Sequence, residues 1–144
     1  TFLLTKQLYA FKLISTIKNV VENGIPYFGT SAGSVITGKT IQNTNDMPII
    51  YPPSFDTLGL LNFNLNCHYL DPDTNSTHMG ETRETRINEY HTINKTPVLG
   101  LREGSWLQVR GDKIILKGDF NARLFQQNKP EVEFPSETDF SFLM

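Results

Sequence analysis

The sequence predicts an α/β fold with a mostly parallel sheet, and three stretches carry that prediction. The first is the apolar run Ile25-Pro26-Tyr27-Phe28, which leads into Gly29-Thr30-Ser31-Ala32-Gly33 and then into Ser34–Lys39, a segment that can be helical. The second is the alternating stretch 61–68, which reads as a half-buried strand. The third is the short apolar run Val98-Leu99-Gly100-Leu101, which reads as a buried strand. Each ends beside a residue able to do chemistry, Ser31, His68 and Glu103 in turn. In open α/β sheets that end of the strands carries the ligands.

In chain order, residues 3–22 read as one amphipathic helix. Ala10, Leu13, Ile14, Ile17, Val20 and Val21 recur at helical spacing, and Lys6, Lys12, Lys18 and Glu22 fall on the outer side. Asn23-Gly24 is a stop signal. Strand 25–28 follows, then the turn around Ser31 and a helix to about Lys39. A strand, a G-x-S-x-G turn and a helix form a nucleophile elbow, in which the turn admits only small residues beside the serine and the next N–H, on Ala32, faces a developing oxyanion. Residues 40–60 read as irregular, because Pro48, Pro52 and Pro53 break any regular element. Asp46 in this loop is either an Asx-turn residue or part of a site.

From Leu61 the alternation places Leu61, Phe63, Leu65 and Cys67 on one face and Asn62, Asn64, Asn66 and His68 on the other. Asp71–Met79 is a polar loop. Gly80–Tyr90 reads as a helix with acids near its first turn. In it Arg86 reads as a partner for glutamates on a solvated face, and Arg83 is placed to face the strand ends. Leu107–Val109 and Lys113–Leu116, joined by Arg110-Gly111-Asp112, read as a hairpin in which that tripeptide is only a turn. Ala122–Phe125 reads as one more strand. The acidic stretch 129–144 is expected to be surface-bound or mobile.

Composition narrows the class. The 144 residues suffice for one domain with a core, and the net charge of -2 provides no basic field for nucleic acid and no polybasic membrane patch. No apolar run has the length of a membrane span, and no signal peptide opens the chain. The single cysteine, Cys67, excludes an internal disulfide and points to a reducing, cytoplasmic setting. No second Cys/His pair accompanies Cys67-His68, so no metal site is read there. The chain opens on Thr1-Phe2 without Met and offers few strands to flank the elbow. The expectation is the C-terminal part of a longer protein.

A serine hydroxyl needs a base within hydrogen-bond reach, and the base needs a third group to hold its tautomer. Of His68, His78 and His91, only His68 stands at a strand terminus. Asp46, Asp71, Glu81 and Glu103 are candidates for the third group. Position at a strand end favours Glu103, with Asp46 still open. The order Ser…His…Glu differs from the Ser…Asp…His order of α/β-hydrolases, and too little chain follows the elbow for that fold.

Five motifs, Gly29–Gly33, Thr44-Asn45-Asp46-Met47-Pro48, Asn66-Cys67-His68, Gly80-Glu81-Thr82-Arg83 and Glu103-Gly104-Ser105-Trp106, together resemble the peptidase E family of S51 serine peptidases, the α-aspartyl dipeptidases. The resemblance runs from about residue 25 to 110. It implies a triad of Ser31, His68 and Glu103, an oxyanion donor at Ala32, and a need for Asp46 at the site outside the triad. It also implies that Arg83 binds the side-chain carboxylate of an N-terminal aspartate, which suits the planar guanidinium fork. The implied fold is a three-layer, flavodoxin-like α/β sandwich related to class I glutamine amidotransferases, here without its N-terminal strands. The implied substrate is a small peptide with N-terminal aspartate, acted on by a monomer or homodimer with no metal or organic cofactor. Family members carry Gly-Gly-Asn just before the Thr-Phe of residues 1–2, and a glycine there supplies a second oxyanion donor. Loss of one such donor costs about 10²–10³ in rate. Two other readings stand beside this one: a cyanophycinase-like hydrolase of β-aspartyl-arginine, and a non-catalytic remnant.

Overall fold

In the computed structural model, which describes residues 1–73, 75, 77 and 80–144, helices α1 (Phe2–Ala10), α2 (Leu13–Glu22), α3 (Ala32–Val35) and α4 (Arg83–Tyr90) accompany six strands. These are β1 (Asn64–Cys67), β2 (Val98–Leu101), β3 (Ser105–Arg110), β4 (Lys113–Gly118), β5 (Ala122–Phe125) and β6 (Val132–Phe134). The main sheet has the order β1-β2-β5-β6. β1 and β2 are parallel, with α4 in the connection between them, whereas β2–β5 and β5–β6 are antiparallel. The sheet is therefore mixed rather than mostly parallel. After β2 the chain passes through the β3–β4 hairpin, with no helix among the described residues to carry it back across the sheet, and enters β5 antiparallel.

α4 forms where Thr82 caps it, its hydroxyl accepting from the Thr85 N–H at 3.0 Å, with Glu84 in the first turn. Ile87 and Tyr90, three positions apart, bury one face against Val98, Phe125 and Tyr69. On the other face of the sheet Leu65, Leu99, Leu101 and Leu124 pack with Ile114 and Leu116 of the β3–β4 hairpin and with Phe140. A further cluster joins Leu8 of α1 to Val35, Ile36, Ile41 and Leu58. β2 is buried throughout, the β3–β4 hairpin turns at Arg110–Lys113, and β5 covers Ala122–Phe125, as the sequence predicts.

Five expectations change. Residues 3–22 form two helices, because the chain breaks at Phe11–Lys12, where Lys12 is left-handed at φ 56°. The helix after the elbow ends at Val35, well short of Lys39. Residues 25–28 form no strand, and Phe28 is 90% exposed, since no neighbouring strand lies beside them among the described residues. β1 is buried on both faces instead of one: Asn64 and Asn66 are fully enclosed. Asn64 Oδ1 accepts from the Lys39 N–H (2.9 Å), its amide donates to Tyr90 Oη (3.1 Å), and the Asn66 amide donates to the Asn43 carbonyl (3.0 Å), so the polar face ties down the loop 39–43. Residues 129–144, expected to be surface-bound or mobile, are paired into the sheet and reach the core. β6 pairs with β5, and Phe140 is completely buried, its N–H donating to the Ile114 carbonyl at 2.7 Å.

Candidate active site

The turn around Ser31 is as tight as its small residues require. A Cβ on Gly29 would lie 2.6 Å from the Gly33 carbonyl oxygen. Two side chains brace the turn: Ser34 Oγ donates to the Gly29 carbonyl at 2.7 Å, and Tyr27 Oη donates to the Gly33 carbonyl at 2.6 Å. Ser31 itself adopts φ 48°, ψ -120°, a conformation that L-residues rarely hold and that nucleophile elbows impose. The turn presents the Ser31 side chain at the surface, and the Ala32 N–H has no hydrogen-bond acceptor among the described residues. α3 has only four residues, so what it offers at this point is that N–H itself rather than a helix dipole.

β1 and β2 bring the other two groups to the same place. Their parallel register pairs Cys67 with Leu101, so His68 and Glu103 leave the sheet at one end. His68 Nε2 lies 3.0 Å from Ser31 Oγ, and its Nδ1 is hydrogen-bonded to the Glu103 carboxylate. A carboxylate only accepts, so Nδ1 carries the proton and Nε2 is left to accept from the serine. The His68 and Glu103 side chains are 51% and 74% exposed, so the line of three groups opens to solvent.

A shallow cavity beside Ser31 is lined by Asn45, Asp46, Asn66, His68 and Arg83. Burial works to raise the pKa of Asp46, and the nearby charge of Arg83 works to lower it. Arg83 is the first residue of α4, which aims it at this cavity. Cys67 also borders the cavity, and burial pushes its thiol up to about 11. It stays a neutral thiol near pH 7, as its expected packing role requires.

The remaining candidates lie elsewhere. His91 is buried, its ring bonded to the Thr96 carbonyl at 3.1 Å, and burial lowers its pKa. Glu81 pairs with Arg86 at 3.4 Å, the surface pairing expected for Arg86. Asp71 is held by Arg102. His78 lies outside the described residues. Two groups at the site lay within the quoted motifs but were given no role from the sequence. Asn45 and Asn66 border the cavity with buried side-chain carbonyl oxygens that lack a hydrogen-bond donor among the described residues. The run of asparagines on alternate positions 62–66 was the available signal, since asparagine is disfavoured in strands unless its amide is used.

The chain is similar to known proteins over its whole length. A model of peptidase family S51 matches residues 1–117. The chain is 49% identical over its whole length to a peptidase E of Streptomyces coelicolor, covering 59% of that protein. It is 47% identical to a probable alpha-aspartyl dipeptidase of Drosophila melanogaster, covering 60% of it, and 46% identical to a peptidase E of Shewanella amazonensis, covering 61%. The chain thus spans about three fifths of the length of these relatives. An elbow serine in line with His68 and Glu103, together with a family match over residues 1–117, leads to one conclusion: the chain belongs to peptidase family S51.

Proposed function

We propose that this chain carries the catalytic groups of a serine dipeptidase that cleaves the peptide bond after an N-terminal aspartate. The observation that carries the reading is the hydrogen-bonded line from Ser31 Oγ through His68 to the Glu103 carboxylate. His68 Nε2 takes the Ser31 proton as Oγ attacks the substrate carbonyl. Glu103 holds the Nδ1 proton and stabilises the imidazolium without taking the proton. The Ala32 N–H donates to the oxyanion. His68 then protonates the leaving amine, and a water molecule, activated by the same base, releases the acyl group from Ser31. Arg83, in the cavity beside the serine, pairs with the β-carboxylate of the substrate's aspartate, and Asp46 supports the same subsite. The relatives named peptidase E and alpha-aspartyl dipeptidase support this substrate class.

The whole protein is proposed to be a three-layer, flavodoxin-like sandwich in which further parallel strands lie beside β1 and residues 25–28 join them. Three observations support it: the relatives' greater length, the outer edge of β1 without a paired strand among the described residues, and the exposure of Ile25 and Phe28. Residues 1–144 then form the C-terminal part of one domain. A cytoplasmic setting is proposed from the single cysteine; no helix among the described residues is long and apolar enough to cross a membrane.

The test is hydrolysis of Asp-Leu by the full-length protein and its Ser31→Ala variant, with β-Asp-Arg assayed alongside. The variant is expected to lose at least roughly 10⁴ in kcat, and a serine-directed phosphonate is expected to add its mass to Ser31. Retained activity in the variant would sink the nucleophile assignment. Preference for β-Asp-Arg would replace the substrate assignment.

A further inference from the structure

His68 holds its position without burial: its side chain is 51% exposed and its backbone is left-handed at φ 56°. A non-glycine residue keeps that conformation only where its surroundings over-determine it. Those surroundings lie one and three residues further on. The Tyr69 N–H donates to the Leu101 carbonyl at 2.9 Å, and its ring is buried flat against Gly100, where an added Cβ would come within 2.8 Å of ring atoms. The Arg102 guanidinium lies 5.4 Å from the centre of the same ring.

Arg102 also uses all five of its N–H donors. Nε and Nη2 grip the Asp71 carboxylate at 2.9 and 2.6 Å, Nη1 and Nη2 reach the Glu133 carboxylate of β6 at 3.0 and 2.7 Å, and Nη1 donates to the Asn121 carbonyl at 2.8 Å. Its side chain is only 18% exposed, and no donor remains for a substrate. The hydrogen bonds from Arg102 hold the Asp71 carboxyl below its ordinary range against the opposing effect of burial. Arg102 directly precedes Glu103, and Asp71 follows His68 by three residues. One guanidinium therefore ties together the two turns that carry the base and the orienting acid.

We infer that Arg102 is a positioning residue of the site: acting through Asp71 and Tyr69, it locks the left-handed turn at His68 onto the strand end that carries Glu103. The inference rests on the reading of Ser31, His68 and Glu103 as the reacting line. Loss of the clamp lets the imidazole drift, and a misplacement of about 1 Å at a reacting group costs on the order of 10²-fold in rate.

The experiment compares Arg102→Gln, Arg102→Lys and Asp71→Asn in the full-length protein. Arg102→Gln is expected to lower kcat for Asp-Leu by roughly 10²-fold with KM within about twofold, because the ground-state contacts to the substrate remain. Arg102→Lys restores only part of that loss, since an ammonium cannot make the double fork. Asp71→Asn, a change at a half-exposed surface carboxylate, keeps the shape and lowers kcat by about tenfold. If Arg102→Gln does not fold, Asp71→Asn decides. A second readout needs no turnover: the downfield proton signal of the His68 ring Nδ1–H is expected in the parent protein and is broadened or lost in Asp71→Asn. Folded variants with parental kcat and an unchanged ring signal, or a loss that falls wholly in KM, would overturn the inference. A parent protein that shows no hydrolysis overturns the peptidase reading instead, and the ring signal alone then decides the clamp.

Discussion

Arg83 begins α4 with its side chain in the cavity that Ser31 and His68 also border, and its charge reaches Asp46. A guanidinium there discriminates by charge, because a substrate without a carboxylate leaves it with water while one with a carboxylate meets a matching fork. Arg83→Ala is therefore expected to raise KM for Asp-Leu by roughly tenfold or more and to leave hydrolysis of Ala-Leu nearly unchanged. Steady-state kinetics on the two dipeptides check this, and equal losses on both would remove Arg83 from the specificity role. At this scale the sequence was most readable. Small residues around Ser31 can only mean a tight turn, and His68 and Glu103 each follow a recognisable strand. Among the acids, position at a strand end favoured Glu103 and left Asp46 open, because these carboxylates differ mainly in what stands opposite them.

Elements show where local pattern and tertiary packing part company. Alternation in 61–68 located β1, yet its asparagine face is buried, since loop 39–43 folds over it and supplies the backbone groups that Asn64 and Asn66 satisfy. The acidic composition of 129–144 pointed to a loose surface segment, yet Phe134, Phe140 and Phe142 form an aromatic group with ring centroids 5.0 to 6.1 Å apart, and Phe140 enters the core under β4. Fully buried Phe140, with partly buried Phe134 packed against it, provides the apolar area that anchors the segment. Phe140→Ala is expected to cost about 3–5 kcal/mol and to lower Tm by roughly 10 °C, read by thermal unfolding followed by circular dichroism. A Tm within about 2 °C of the parent would show that the segment is dispensable to the core.

At the scale of the whole molecule, residues 11–28 carry several exposed apolar side chains. Phe11 (70% exposed), Ile25 (58%) and Phe28 (90%) are open, and no residue of α2 is buried. α2 is nevertheless strongly one-sided, with Leu13, Ile14, Ile17, Val20 and Val21 along one face. Ile14 and Ile17 on that face pack against the cluster around Leu8 and Ile41, and in the proposed full sandwich segment 25–28 is covered by the further strands. Hydrogen exchange provides the check. In the full-length protein the backbone amides of Tyr27 and Phe28 are expected to be protected to a degree comparable with β2, and in residues 1–144 alone to exchange about as fast as open loops. Fast exchange in both would argue that 25–28 is not a strand in either.

The sequence by itself determined what depends on near neighbours in the chain: the elbow at Ser31, the helix ending at Tyr90, the β3–β4 hairpin, and the strand ends that carry His68 and Glu103. Backbone sterics and side-chain period act over a few residues, so they leave a local mark. Tertiary structure alone decided the mixed sheet, the burial of the asparagine face, the docking of 129–144, the break at Lys12, and the absence of a strand at 25–28 despite its apolar run. All of these except the break at Lys12 turn on a partner distant in sequence. A strand exists only beside another strand, and a polar face is buried only where another segment brings the matching donors and acceptors.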